Sequence, residues 1–131
     1  MVLVDADRDD CHQLKQALVG LYQQLPKKPT CVLFRIAIEE SESWFLADRD
    51  AIHSAYPRAH LNKLPRQPDV VIGAWEKLAE VLGRKSEECY GSDKIEWATK
   101  IAPELDLTDP RSPSLRAFVN GIDSLVRAHD P

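Results

Sequence analysis

Long apolar runs are missing from this 131-residue sequence. None approaches the roughly 18 residues that a membrane-crossing helix needs, so no span is expected. Also missing is a basic N-terminal region leading into an apolar stretch. Export through a signal peptide is therefore not indicated, and the cytoplasm is the expected location. Neither G-x-x-x-x-G-K-S/T nor G-x-G-x-x-G occurs, which excludes nucleotide binding by those phosphate-cradling loops. Cysteine is scarce. Cys11, Cys31 and Cys89 are odd in number, far apart and form no C-x-x-C pair, so reduced thiols and no structural zinc are expected. The four histidines are scattered, which speaks against an imidazole metal cluster or a His-based triad. There is no internal repeat and no low-complexity segment. Positive charge is short as well: the net charge of −4 gives no global attraction to nucleic acid, and binding would need a local basic patch.

What is present fits one globular domain. Hydrophobic residues make up 44% and charged residues 29%, enough of each for a packed core and a solvated surface. Residues 1–5 read as a short strand apolar on both faces, the pattern of a central parallel strand. Cys11, Leu14, Leu18, Leu21 and Leu25 recur at helical intervals until Pro26 and Pro29 close the helix. Residues 31–38, "CVLFRIAI", form a second apolar run. Strand, helix, strand is a βαβ unit, with parallel strands and a right-handed crossover. Beyond it the pattern is helical. A short helix starts in "EESESWFLAD", and Asp48 caps another through Ala55. Residues 57–68, with three prolines, read as a loop. Asp69 fits as the N-cap of a helix running to about Leu82, with Val71, Trp75, Leu78 and Leu82 on one face and Gly83 as its stop. A shorter helix covers about residues 93–102. The last begins at Ser112-Pro113 and carries Leu115, Phe118, Val119, Ile122, Leu125 and Val126 at helical spacing. The expected class is α/β, a small parallel sheet with a helix-rich C-terminal half. Two parallel strands leave bare edges. A homodimer is therefore expected, with the open sheet edge or the helical face beside it as the interface.

The chemistry concentrates in two acidic stretches. In "VLVDADRDD" four aspartates, Asp5, Asp7, Asp9 and Asp10, follow the first strand directly. If the strand persists, Asp5 and Asp7 share a face, roughly 6–7 Å apart along the chain. They stand at the carboxyl end of a parallel strand, where open α/β sheets place ligands. Gathered carboxylates repel one another, and oxygen-only ligands favour Mg²⁺ or Mn²⁺ over zinc. Asp9 and Asp10 are better explained as caps of the following helix. A calcium loop is excluded, because its glycine and glutamate positions hold Asp10 and Gln16. A haloacid-dehalogenase-like phosphatase is a distant alternative: Asp9 replaces the small residue expected two positions after D-x-D, and no later strand ends in paired aspartates.

The second stretch, "RIAIEESESWFLADRDAIHSAYP", ends its strand in Glu39 and Glu40 on the same rim. With "KIEWATKIAPELDL" and "RSPSLRAFVNGIDSL", it resembles the Toprim-related domain-of-unknown-function family 4276 over most of the chain, "IAIEESESWFLAD" being the most specific part. The resemblance implies a prokaryotic cytoplasmic protein encoded beside an ATPase of the ABC or AAA type. It also implies nuclease or phosphodiesterase chemistry of the Toprim kind, a Mg- or Mn-dependent module. It matches Asp5 and Asp7 to the D-x-D pair and Glu39 or Glu40 to the acid after the next strand. The family's early strands and their glutamate have no counterpart before Asp5. The expectation is thus a single Toprim-like domain over residues 1–131 that is a C-terminal portion, incomplete at its N-terminus and inactive by itself.

In a two-metal phosphodiesterase, carboxylates hold ions about 4 Å apart that activate water and stabilise the leaving oxygen. Asp5, Asp7 and Glu39 are the candidate catalytic residues, and Asp5, Asp7, Glu39 and Glu40 the candidate metal ligands. For Glu39 the plain alternative is an acidic first helical turn. Arg58, Lys63 and Arg66, with His60 among them, form a basic loop that could touch phosphates; the plain alternative is a solvated loop. Trp44 and Phe45 read as core rather than a base-stacking platform. Arg35, inside an apolar strand, needs a carboxylate partner, for which Glu39 or a helical acid is the candidate. The competing function is a non-catalytic module that docks on a partner ATPase, its acidic rim a relict.

Overall fold

The structure is a computed structural model and describes residues 1–128. It is an α/β fold. β1 (Val2–Asp5) and β2 (Phe34–Ala37) pair in parallel, Val2 opposite Phe34 and Asp5 opposite Ala37. A parallel pair cannot be closed by a tight turn. Here α1 (Cys11–Gln23) makes the crossover. The Asp10 carboxylate starts that helix by accepting the backbone N–H groups of His12 and Gln13, both at 2.9 Å. On its far end the Tyr22 ring meets Phe34 of β2 edge-on, centroids 6.2 Å apart.

The two faces of the sheet are covered unequally. Phe34 faces α1, while Arg35 and Ala37 face α6 (Pro113–Arg127). No residue of α1 is buried, and α6 packs on β2. β1 therefore alternates between half-buried Val2 and Val4 and exposed Leu3 and Asp5. The expectation of a strand buried on both faces is not met: Leu3 is 39% exposed. Only a cover on each face would bury both sets of side chains.

The helical half holds the main core. α2 (Glu42–Ala47) and α3 (Arg49–Ala55) meet at Asp48, whose carboxylate accepts the N–H of Ala51 at 3.0 Å and that of Asp106 at 3.0 Å. Residues 57–68 are a loop, as expected, with a short 3-10 turn at Leu61–Lys63. Then follow α4 (Ala74–Val81) and α5 (Gly91–Ile101). Leu46, Ile52, Leu78, Val81, Trp97 and Ile101 are all but completely buried together. Each such side chain contributes about 1.5–3 kcal/mol by leaving water. A smaller cluster of Ala37, Trp44 and Leu115 joins the sheet to α6, with Phe118 tilted against Trp44 at 5.2 Å. Trp44 is core, as its setting suggested.

One helix starts later than its sequence pattern predicts. Residues Pro68–Val70 form a 3-10 turn, Gly73 takes a left-handed φ of 72°, and α4 begins only at Ala74. Asp69 caps nothing there. Its carboxylate turns to α6, accepting the Ser112 hydroxyl at 2.6 Å and the Ser114 N–H at 2.9 Å. The C-terminal stop is as expected: Gly83 N–H reaches Glu80 O at 3.1 Å and Arg84 N–H reaches Ala79 O at 2.8 Å, the Schellman pattern.

Candidate active site at the carboxyl rim of the sheet

Where the strands end, their following turns are clasped together. Ala6 N–H donates to Ala37 O at 2.9 Å and Asp7 N–H to Glu39 O at 2.6 Å. Both Asp7 (φ 51°) and Glu39 (φ 60°) sit in the left-handed region. For a residue with a Cβ this conformation costs on the order of 1–3 kcal/mol, and such strain gathers at functional sites. The strand does not persist to Asp7, so Asp5 and Asp7 do not share a strand face. Asp5 Oδ1 instead accepts the Ser41 N–H at 3.0 Å, which fixes the turn into α2.

Glu40 projects toward α4. Its Oε2 accepts the Trp75 N–H at 2.9 Å, supplying the helix cap that Gly73, without a side chain, cannot. Burial pushes its carboxyl above the ordinary carboxylate range, and the charges of Glu42 and Glu76 push the same way; the Trp75 hydrogen bond and Lys94 oppose them. Asp7, Asp9, Glu39, Glu40 and Glu76 line one cleft of about 300 Å³, with Arg8 as its cationic member. Glu76 carries no signal in the sequence. It reaches the cleft because Gly73 leaves room: a Cβ there would stand 2.8 Å from Glu76 Oε2.

The donor chemistry of this cleft suits a hard cation, but no all-protein cage is assembled. Among the described residues, no group of three or more His, Cys, Asp or Glu side chains is placed to hold a metal ion. Magnesium needs less, since it keeps several waters and is held through one or two carboxylates plus substrate phosphate. The Asp7 and Glu39 carboxylates make no hydrogen bond or ion pair to another described residue and so fit that simpler mode. Asp5 and Glu40 already have backbone partners.

The basic loop lies elsewhere. Arg58 is exposed, Lys63 is 3.4 Å from Glu80, and Arg66 lines a different cleft. Among the described residues Arg35 has no carboxylate partner. Its guanidinium donates to Ala117 O and Phe34 O, both at 2.9 Å, and lies so close over Gly121 that any Cβ there would collide with it. Carbonyls satisfy the half-buried cation, in place of the expected acid.

The model of a family described as a domain of unknown function, DUF4276, matches residues 1–123. The chain belongs to this family. The match takes in both strands, every acid of the rim and α4 with its Glu76, so the cleft lies wholly inside the DUF4276 region. No curated protein and no solved structure matches the chain. The described residues include no helix long and apolar enough to cross a membrane.

Proposed function

We propose that this DUF4276 chain serves a Toprim-like, Mg- or Mn-dependent phosphodiesterase acting on nucleic acid. The observation that carries the reading is the clasp between Asp7 and Glu39, two strained acids from the turns after adjacent parallel strands. Their unengaged carboxylates would hold the ion and direct it to one side of the cleft. When bound, the ion would lower the pKa of a water and offset charge on the phosphate. Asp5, through Ser41, keeps the second turn in place. Glu40 has one oxygen committed to Trp75, which leaves its Oε1 for a water or substrate in the cleft it lines.

Calorimetric titration with Mg²⁺ and Mn²⁺, paired with a nicking assay, tests the reading. Asp7→Asn and Glu39→Gln should each abolish the metal heat and any nicking. Equal heats in the parent and in Asp7→Asn would remove the proposed ion site.

A second reading, a non-catalytic module that docks on an ABC- or AAA-type ATPase or on a second copy of the chain, draws on a different observation. α1 buries no residue and leaves Leu21 63% exposed, and strand β1 is only half covered. Metal titration separates the two, because docking needs no heat that depends on Asp7.

A further inference from the structure

Away from the acidic rim, Arg49, Arg66 and Arg111 line a second cleft of about 310 Å³. They come from the start of α3, the proline-rich loop and the segment before α6, and no acidic residue lines the cleft with them. Gathering like charges is unfavourable. The protein offsets little of it. Arg111 Nη2 stands 3.5 Å from the exposed Asp50 Oδ2, a long and solvent-screened pair. Among the described residues Arg49 Nη1 donates to one neutral group, Leu61 O, at 3.3 Å. Arg66 has no hydrogen bond or ion pair to another described residue. On a protein whose net charge is −4, a cleft with three guanidinium groups and one weak counter-charge is built for an anion from outside. Planar guanidinium forks match phosphate oxygens two at a time.

Position adds to chemistry. Glu40, just before α2, lines the acidic cleft, and Ala47, the last residue of α2, lines the arginine cleft. The two clefts thus lie toward opposite ends of α2. We infer that Arg49, Arg66 and Arg111 form a phosphate subsite that grips a nucleic-acid strand beyond the far end of α2 from the acidic cleft. This rests on the phosphodiesterase reading for its choice of ligand. The subsite binds and positions the strand and takes no part in bond breaking.

The test is fluorescence anisotropy of a labelled oligothymidylate across a salt series, with the intact chain, Arg66→Gln, and Arg66→Gln/Arg111→Gln. Each lost phosphate contact should reduce the slope of log affinity against log salt by about 0.7 for a single strand. The double variant should bind about tenfold more weakly at low salt, the size expected when one or two charge-assisted contacts are lost. Its Mg²⁺ heat should be unchanged, since neither arginine lines the acidic cleft. Arg66 makes no hydrogen bond or ion pair to another described residue, so its single variant decides the matter if the double variant does not fold. Equal slopes in parent and variants overturn the subsite, as does a parent that fails to bind the strand. Absence of Mg²⁺ heat in the parent counts against the acidic-rim reading alone, because the salt slopes are read without metal.

Discussion

The Glu40 carboxylate accepts the backbone N–H of Trp75 at 2.9 Å, joining residues 35 positions apart. The same side chain lines the acidic cleft and caps α4. A change in its protonation therefore acts on a helix as well as on a site.

That double duty sets the pH dependence of stability. The folded protein holds the Glu40 carboxyl above its ordinary value, chiefly through burial. A carboxyl raised on folding favours the native state below the unfolded pKa, and that advantage is lost as pH rises through the folded value. Glu40→Gln keeps an acceptor for Trp75 and cannot ionise. It should be at least as stable as the parent at pH 7, with the difference closing below the ordinary glutamate range. Glu40→Ala should lose about 1 kcal/mol with the cap. Urea melts at a series of pH values measure both, and parallel curves for the parent and Glu40→Gln would refute the burial argument.

Strain at Glu39 makes a prediction of the opposite sign for stability and function. At φ 60° a glycine is at ease where glutamate is not. Glu39→Gly should gain about 1 kcal/mol in denaturant melts, the strain relieved less the added freedom of the unfolded chain. The same variant should lose metal heat. A destabilised Glu39→Gly would mean that the side chain holds the fold in a way its lack of polar partners does not reveal.

Asp69 ties the loop before α4 to the start of α6. Its two oxygens take the buried Ser112 hydroxyl and the Ser114 N–H, and Ser114 Oγ in turn accepts Trp44 Nε1–H at 2.7 Å. Asp69→Ala leaves the Ser114 N–H unpaired and the Ser112 hydroxyl only Ser114 Oγ, 3.1 Å away, and should cost about 2–3 kcal/mol, the loss expected for charge-assisted bonds with buried partners. Amide exchange should quicken first at the start of α6. A loss under about 0.5 kcal/mol, the range of a neutral surface change, would show that solvent replaces the carboxylate.

Arg35 and Gly121 form a pair that a mutant cycle can isolate. A methyl group at residue 121 collides with the guanidinium. The guanidinium yields only by giving up its bond to Ala117 O, so Gly121→Ala should cost about 1 kcal/mol, the worth of one hydrogen bond. With Arg35→Ala in the background the same change should cost about 1 kcal/mol less, a coupling typical of residues in contact. Strictly additive effects would contradict the contact.

The order of elements and several helix ends were legible in the sequence because their causes are local. The β1–α1–β2 order, and with it the parallel pairing, followed from two apolar runs and a helical repeat between them. Asp10, Asp48 and Ser112 cap helices through bonds to residues two or three positions on, a range that sequence spacing captures. Glu39 and Glu40 fell on the same rim as Asp7 for the same reason: parallel strands present their carboxyl ends together. The division of labour among those acids was not legible. Asp5 turns to Ser41 across 36 residues, Asp69 leaves its own helix for Ser112 across 43, and Arg35 finds Ala117 across 82. Glu76 enters the cleft because α4 packs against Glu40 and Gly73 leaves its side chain room. Periodicity and capping rules reach three or four residues along the chain. Which carboxylate stays unengaged is decided by the backbone N–H groups that distant segments bring within 3 Å of it, and packing alone sets those meetings.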